Sequence, residues 1–174
     1  MKIITETERL IIREIGEADV EAMLELHSDP EVHKYLGNKT ISSIKEIKEI
    51  INFLRQQYEK YKVGRWAMID KNSNEFIGWT GIEYVTKEIN GHKNYYDLGY
   101  RLKKQYWGKG YATESAIACL EYAFNQLQLN KVYAMADYRN KGSNNILKKS
   151  GMSFIETFEY EGVKHHWYKI EKVQ

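Results

Sequence analysis

Gly108 and Gly110 bracket Lys109 in the stretch Gln105-Tyr106-Trp107-Gly108-Lys109-Gly110-Tyr111-Ala112, which joins a strand-like run at 98–102 to an amphipathic helix. A turn of that kind can hold a phosphate. The first N–H groups of a helix lack intrahelical partners and carry the positive end of the macrodipole, so an anion placed there is hydrogen-bonded and electrostatically favoured. Glycine lets the backbone approach the anion and adopts positive φ at little steric cost, while Lys109 adds a mobile cation. Two better-known phosphate loops do not fit. A P-loop requires G-x-x-x-x-G-K-[ST], and no such string occurs in the chain. A dinucleotide fingerprint requires G-x-G-x-x-G, and Thr113 stands where its third glycine belongs. Read alone, the two glycines are also compatible with a plain strand-to-helix turn.

A second strand-like run, at 131–138, leads into Asn140-Lys141-Gly142-Ser143, and the helix that follows closes at Lys149, Gly151 and Met152. Together the two segments resemble the GNAT superfamily of acyl-CoA N-acyltransferases. Its cofactor motif, Q/R-x-x-G-x-G/A, is matched by Gln105, Gly108 and Gly110, with Ala112 two residues on. Its N-x-x-S/A motif is matched by Asn140 and Ser143. Thr7-Glu8-Arg9-Leu10-Ile11-Ile12-Arg13, the segment 106–114 and the Asn140/Ser143 pair are similar to the branch that includes ribosomal-protein N-terminal acetyltransferases. The resemblance covers nearly the whole chain and implies one domain over residues 1–174, with acetyl-CoA as co-substrate and no metal. It implies acetyl transfer to a primary amine, foremost a protein or peptide N-terminal α-amine, by direct attack in a ternary complex. Small-molecule acceptors such as polyamines or antibiotics are an alternative, and a non-enzymatic acyl-CoA-binding module would keep the same fold.

The resemblance also implies which residues meet the cofactor. Leu98, Tyr100 and Leu102 lie on a strand whose edge is left open to the pantetheine arm, because an extended ligand beside an unpaired strand gains main-chain hydrogen bonds whatever the side chains. The other contacts are expected at Gln105, Trp107, Gly108, Lys109, Gly110, Tyr111, Ala112, Asn140 and Ser143. In the reaction an amine loses a proton and attacks the thioester carbonyl, and the departing thiolate gains a proton. An α-amine has a pKa of about 8 and a lysine amine about 10.4, so a base helps, often through water. Asp97 and Glu83 are the candidates for that base, with an ordinary surface carboxylate as the alternative reading of each. Ser143 is expected near the cofactor sulfur as a proton donor, or else as a helix-capping serine. Many members of the family place a tyrosine four residues later, but here Leu147 stands there, which moves the acid's role onto Ser143 or solvent. Asn140 is expected to orient the cofactor, cap its helix, or both.

The elements that must position these residues read as β, two helices, three strands, helix, strand, helix, two strands. That order is a mixed α+β arrangement, the GNAT fold, with a central sheet of about seven strands flanked by about four helices. The first strand is expected at 9–14 and the first helix at 17–27. Ile44, Ile47, Ile51, Leu54, Tyr58 and Tyr61 recur at spacings of three and four, which puts all six on one face of a long helix. Ser43 and Glu46 are placed for a capping box at its start. Strands follow at 65–70, 75–85 and 95–103. The helix after the glycine turn aligns Ala116, Leu120, Ala123, Phe124 and Leu127, so its body packs on the sheet while its first turn points at the cofactor. Two last strands are expected at 153–160 and 164–171.

Composition limits the remaining classes. The 174 residues bury about two thirds of their unfolded surface if they form one domain. With 26 basic and 24 acidic residues the net charge is only +2, so no direct nucleic-acid partner is expected. Cys119 is the single cysteine and can form no intrachain disulfide, which suits a reducing, cytoplasmic setting. No run approaches the roughly twenty apolar residues of a membrane span. His165 and His166 are adjacent on a predicted strand and point to opposite faces, which argues against a shared metal ion. Edge strands near the C-terminus could pair two copies into a homodimer.

Overall fold

A computed structural model describes residues 1–173, so position 174 of the expected domain lies outside the described residues. Eight strands and four α-helices follow one another as β1 (Ile3–Glu6), β2 (Leu10–Glu14), α1 (Val20–Ser28), α2 (Ile44–Tyr61), β3 (Gly64–Asp70), β4 (Phe76–Val85), β5 (Tyr95–Leu102), α3 (Tyr111–Asn125), β6 (Lys131–Asp137), α4 (Lys141–Lys149), β7 (Ser153–Tyr160) and β8 (Val163–Glu171). The expected GNAT order is present, with one strand more than the seven read from sequence. The extra strand is β1, which pairs antiparallel with β2 at the sheet edge. Four residues with exposed ends carry little periodic signal, so only the pairing reveals them.

The sheet runs β1-β2-β3-β4-β5-β6-β8-β7. All neighbours are antiparallel except β5 and β6, which are parallel and share a single register pair, Asp97 with Tyr133. Beyond that pair, Leu98 to Leu102 keep partners only on β4, while β6 continues beside β8. The fourth and fifth strands of the sequence reading, β5 and β6, therefore diverge as expected and leave a free edge.

Each face of the sheet is covered by helices. On one face α1 and α2 bury Met23, Leu26, Ile47, Ile51 and Leu54 against Ala67, Ile69 and Phe76. On the other, Ala116, Cys119, Leu120 and Ala123 of α3 and Leu147 of α4 pack on Trp66, Met68, Ile77, Ile82 and Leu98. The three- and four-residue spacing of α2 is what puts Ile47, Ile51 and Leu54 on its buried side. Three local expectations are corrected. The Ser43 side chain makes no capping hydrogen bond, so the Ser43/Glu46 capping box does not form. The helix expected from residue 17 begins as a single 3-10 turn, Glu17–Asp19, before α1. Leu127 lies beyond the end of α3, although it still packs against the core.

Candidate active site

The glycine turn is built between the end of β5 and the start of α3. A short 3-10 turn, Lys104–Tyr106, carries the chain off the sheet, and the Trp107 indole N–H donates to the Leu102 carbonyl at 2.9 Å. Gly108 and Gly110 then take φ of 71° and 82°, the left-handed region that other residues resist. Gly110 is the N-cap of α3 and supplies no side-chain cap, so the first N–H groups of the helix remain available to an anion. Gln105, Trp107, Gly108, Lys109 and Gly110 are exposed, Tyr111 is partly buried and Ala112 is buried. Of the expected cofactor positions, Gln105 and 107–110 thus form one accessible rim at the helix start.

That rim is held from the far end of the chain. Arg9 donates through Nε to Glu114 at 2.7 Å and through Nη1 to the Lys109 carbonyl at 2.9 Å. Its guanidinium lies 4.2 Å from the centre of the Tyr111 ring. Thr7 donates to Glu114 at 2.5 Å. From β3, Asp70 accepts the Tyr111 hydroxyl proton at 2.7 Å. The Thr7/Arg9 motif and the loop motif, far apart in sequence, are one structure.

At the divergence of β5 and β6, Tyr100 reaches from the strand to the first turn of α4. Its hydroxyl donates to the Ser143 carbonyl at 2.9 Å and lies 3.0 Å from Ser143 Oγ. Burial raises the phenol pKa above its ordinary value, only partly offset by Ser143. Asn140 caps α4 by accepting the Ser143 N–H at 3.1 Å. The cap is held from behind by Asn144, which donates to the carbonyls of Asp137 and Asn140. Asn144 Oδ1 in turn accepts from Tyr168 at 2.6 Å and from His166 Nδ1 at 2.9 Å. Leu147 is core. A phenol nevertheless stands beside Ser143, supplied by β5 instead of α4. Sequence reasoning placed Tyr100 only as a backbone contact, because nothing in local spacing reports which helix a strand side chain will meet.

Glu83 and Asp97 are directly opposed across β4 and β5, on the face covered by α1 and α2. Arg65 joins them, at 2.5 Å from Asp97 and 3.4 Å from Glu83. Its guanidinium passes over Gly99, where an added Cβ would lie 2.7 Å from Cζ, so this close approach needs glycine. Burial lifts the Asp97 carboxyl to about 6 against the pull of Arg65. The two proposed bases are therefore brought together, but not equivalently: Glu83 lines a cavity of about 290 Å³ with Met23, His27, Arg65, Trp79 and Arg101, and Asp97 does not. His165 and His166 are engaged separately, with the Val163 carbonyl and Asn144. Among the described residues no cluster of three or more His, Cys, Asp or Glu side chains is arranged to hold a metal. No described helix is long and apolar enough to cross a membrane.

A free strand edge, a glycine loop at a helix start and an eight-stranded mixed sheet define an acyl-CoA-binding transferase fold. The acetyltransferase (GNAT) domain profile matches residues 9–153, and the chain belongs to that family. It is an acetyl-CoA-dependent N-acetyltransferase, with acetyl-CoA as its co-substrate. YkkB, an uncharacterised protein of Bacillus subtilis, is 32% identical over 87% of this chain and 86% of its own. Two solved structures share the fold at 17% identity. RimL, a ribosomal-protein α-N-acetyltransferase in complex with coenzyme A, superposes with a TM-score of 0.83 over 98% of both chains. The spermidine N-acetyltransferase of Vibrio cholerae, with CoA and spermine, does so at 0.76 over 95% of this chain and 96% of its own.

Proposed function

We propose that the chain, as a single domain, acetylates a protein or peptide N-terminal α-amine by direct attack in a ternary complex. The observation that carries this reading is the cavity between α1, α2 and the β4–β5 face. It lies against the same strand whose open edge is suited to the pantetheine arm, so an amine entering from one face meets a thioester held at the edge. In this reading the loop at 108–112 holds the pyrophosphate and the edge of Leu98, Tyr100 and Leu102 holds the pantetheine. Glu83, from the cavity wall, takes the amine proton through water. Ser143, hydrogen-bonded to Tyr100, protonates the departing thiolate. Asp97, engaged by Arg65, serves chiefly to orient that arginine.

RimL acts on a protein N-terminus and the Vibrio enzyme on spermidine, so the fold itself accommodates either acceptor. The cavity, about 290 Å³, lies just below the usual range of ligand pockets, roughly 300–1,000 Å³, and has room for the first residue of a chain or for a small amine. The peptide reading is supported by the likeness of the segments at 7–13 and 106–114 to the N-terminal acetyltransferase branch. Release of CoA thiol is to be followed with peptides carrying free N-termini, N-blocked lysine peptides, polyamines and aminoglycosides. Turnover confined to free N-termini is expected. Turnover only with polyamines or aminoglycosides removes the peptide reading, and tight cofactor binding without turnover on any amine removes the acceptor assignment. A homodimer, if formed, would use the outer edge of β7, where Phe154 and Ile155 are exposed.

A further inference from the structure

Two arginines line the acceptor cavity, and their surroundings differ. Arg65 is matched by both carboxylates of the site, Asp97 and Glu83. Arg101, opposite Trp79 across β4 and β5, has no carboxylate within salt-bridge distance among the described residues. Its guanidinium carbon lies 4.9 Å from the centre of the Trp79 ring, and Nη1 is 3.2 Å from His27 Nδ1. Burial, reinforced by the charge of Arg65, brings its pKa down to about 10, so it stays cationic at neutral pH. An ion withdrawn from water without a counter-ion is costly, and here the uncompensated charge sits on a cavity wall.

His27 holds the Arg101 guanidinium in place. A guanidinium has N–H groups only and accepts nothing, so His27 Nδ1 must be the acceptor in its contact with Arg101, which leaves the ring proton on Nε2. Burial first, and then the neighbouring charge of Arg101, hold this imidazole neutral, with a pKa near 3. Nε2 is buried and has no hydrogen-bond partner. The side chain is 4% exposed and lines the same cavity. The wall therefore presents an unpaired cation that calls for a ligand with negative charge, held from one side by the neutral His27 ring.

Building on the acceptor reading above, we propose that the amine substrate carries a carboxylate, bound by the Arg101 guanidinium that His27 Nδ1 orients. Arg101 and Glu83, the proposed base, line the same small cavity, so the carboxylate lies within the first residue or two of the reacting amine. That chemistry has two sources: the side chain of an acidic residue at the start of a peptide, or the α-carboxylate of a free amino acid. A polyamine would bring a further cation against the unpaired Arg101 and is disfavoured by that charge.

The test compares matched acceptors in CoA-release assays. One arm uses C-terminally amidated peptides beginning with Asp or Glu against the same peptides beginning with Asn or Gln. The other uses free amino acids against their amides. Spermidine is the cationic control. The carboxylate member of one arm is expected to exceed its neutral partner at least tenfold in kcat/KM, and the arm that responds names the source. Arg101→Gln brings that ratio close to one. Arg101→Lys, which keeps the charge but loses the fork, retains part of it and serves where the first variant folds poorly. Equal rates for acid and amide in wild type, or a preference for spermidine, overturn the carboxylate site while leaving an N-acetyltransferase. No turnover with any amine overturns the acceptor reading itself. Calorimetry of the same pairs on the CoA-bound protein reads the discrimination without chemistry, and equal affinities there count against the site.

Discussion

Arg9 and Glu114 are 105 positions apart in the chain, and their side chains meet at 2.6 Å beside the start of α3. This pair joins the first antiparallel hairpin of the sheet to the glycine loop. Glu114 would otherwise place an anion close to where the cofactor phosphates are expected. Arg9 neutralises it and, through the Lys109 carbonyl, braces the loop.

Arg9→Ala should weaken acetyl-CoA binding more than it weakens the fold. With Arg9 about one third exposed, the stability loss is expected to be about 1 kcal/mol or less. The cofactor Kd should rise severalfold as the loop loses its brace. Calorimetry and thermal melting on the same preparation separate the two, and an unchanged Kd would remove the bracing role.

Gly110→Asp is a sharper perturbation of the loop. It puts a Cβ at φ 82°, which costs about 1–2 kcal/mol in a non-glycine residue. The same change adds a negative charge at the helix start. Affinity for acetyl-CoA should fall by at least tenfold in a folded variant, whereas Gly110→Ala should show mainly the strain. Undiminished affinity in Gly110→Asp would mean that the pyrophosphate binds elsewhere.

Ser143→Ala should lower kcat by about 100-fold if its hydroxyl protonates the thiolate, the usual scale of lost acid–base assistance. Tyr100→Phe should lower it less, since the phenol acts by orienting Ser143. Because the two hydroxyls are hydrogen-bonded, the double variant should be little worse than Ser143→Ala alone. Simple additivity of the two losses would show that they act independently.

Glu83→Gln and Asp97→Asn should fail in different ways. The first should reduce kcat at pH 7, with the deficit shrinking as pH rises past the amine pKa and the substrate deprotonates unaided. The second should chiefly destabilise, by about 3 kcal/mol, because it takes from Arg65 its nearer carboxylate at a site where both side chains are about 15% exposed or less. A pH-independent deficit in Glu83→Gln would rule it out as the base.

His27 predicts an acid sensitivity. Its folded pKa, near 3, is depressed from 6.5, so below pH 6.5 the unfolded chain takes a proton that the folded chain refuses. The stability it contributes is present above 6.5 and is lost as pH falls toward 3, at a limiting slope of about 1.4 kcal/mol per pH unit. Denaturant unfolding at pH 7 and at pH 5 should therefore show a smaller drop in His27→Gln than in wild type. Equal drops would mean that the imidazole is protonated in the fold.

Local sequence carried much of the molecule. Helix α2 was legible from the spacing of Ile47, Ile51 and Leu54, because helical periodicity is a short-range property. The glycine loop was legible because a tight turn at a helix start constrains residue types one by one. The family order of elements, and with it the open edge of β5, came through the joint motifs at 105–112 and 140–143. What had to wait for the folded chain was every relationship made across the sheet. That Tyr100 meets Ser143 depends on the angle at which β5 leaves β6. That Glu83 and Asp97 share Arg65 depends on the register of three strands, where a slip of one residue would reverse every side chain. The solitary charge of Arg101 is likewise invisible in a count of 26 basic and 24 acidic residues. Whether a charge is paired is decided by neighbours far away in the chain, and only packing brings those neighbours within reach.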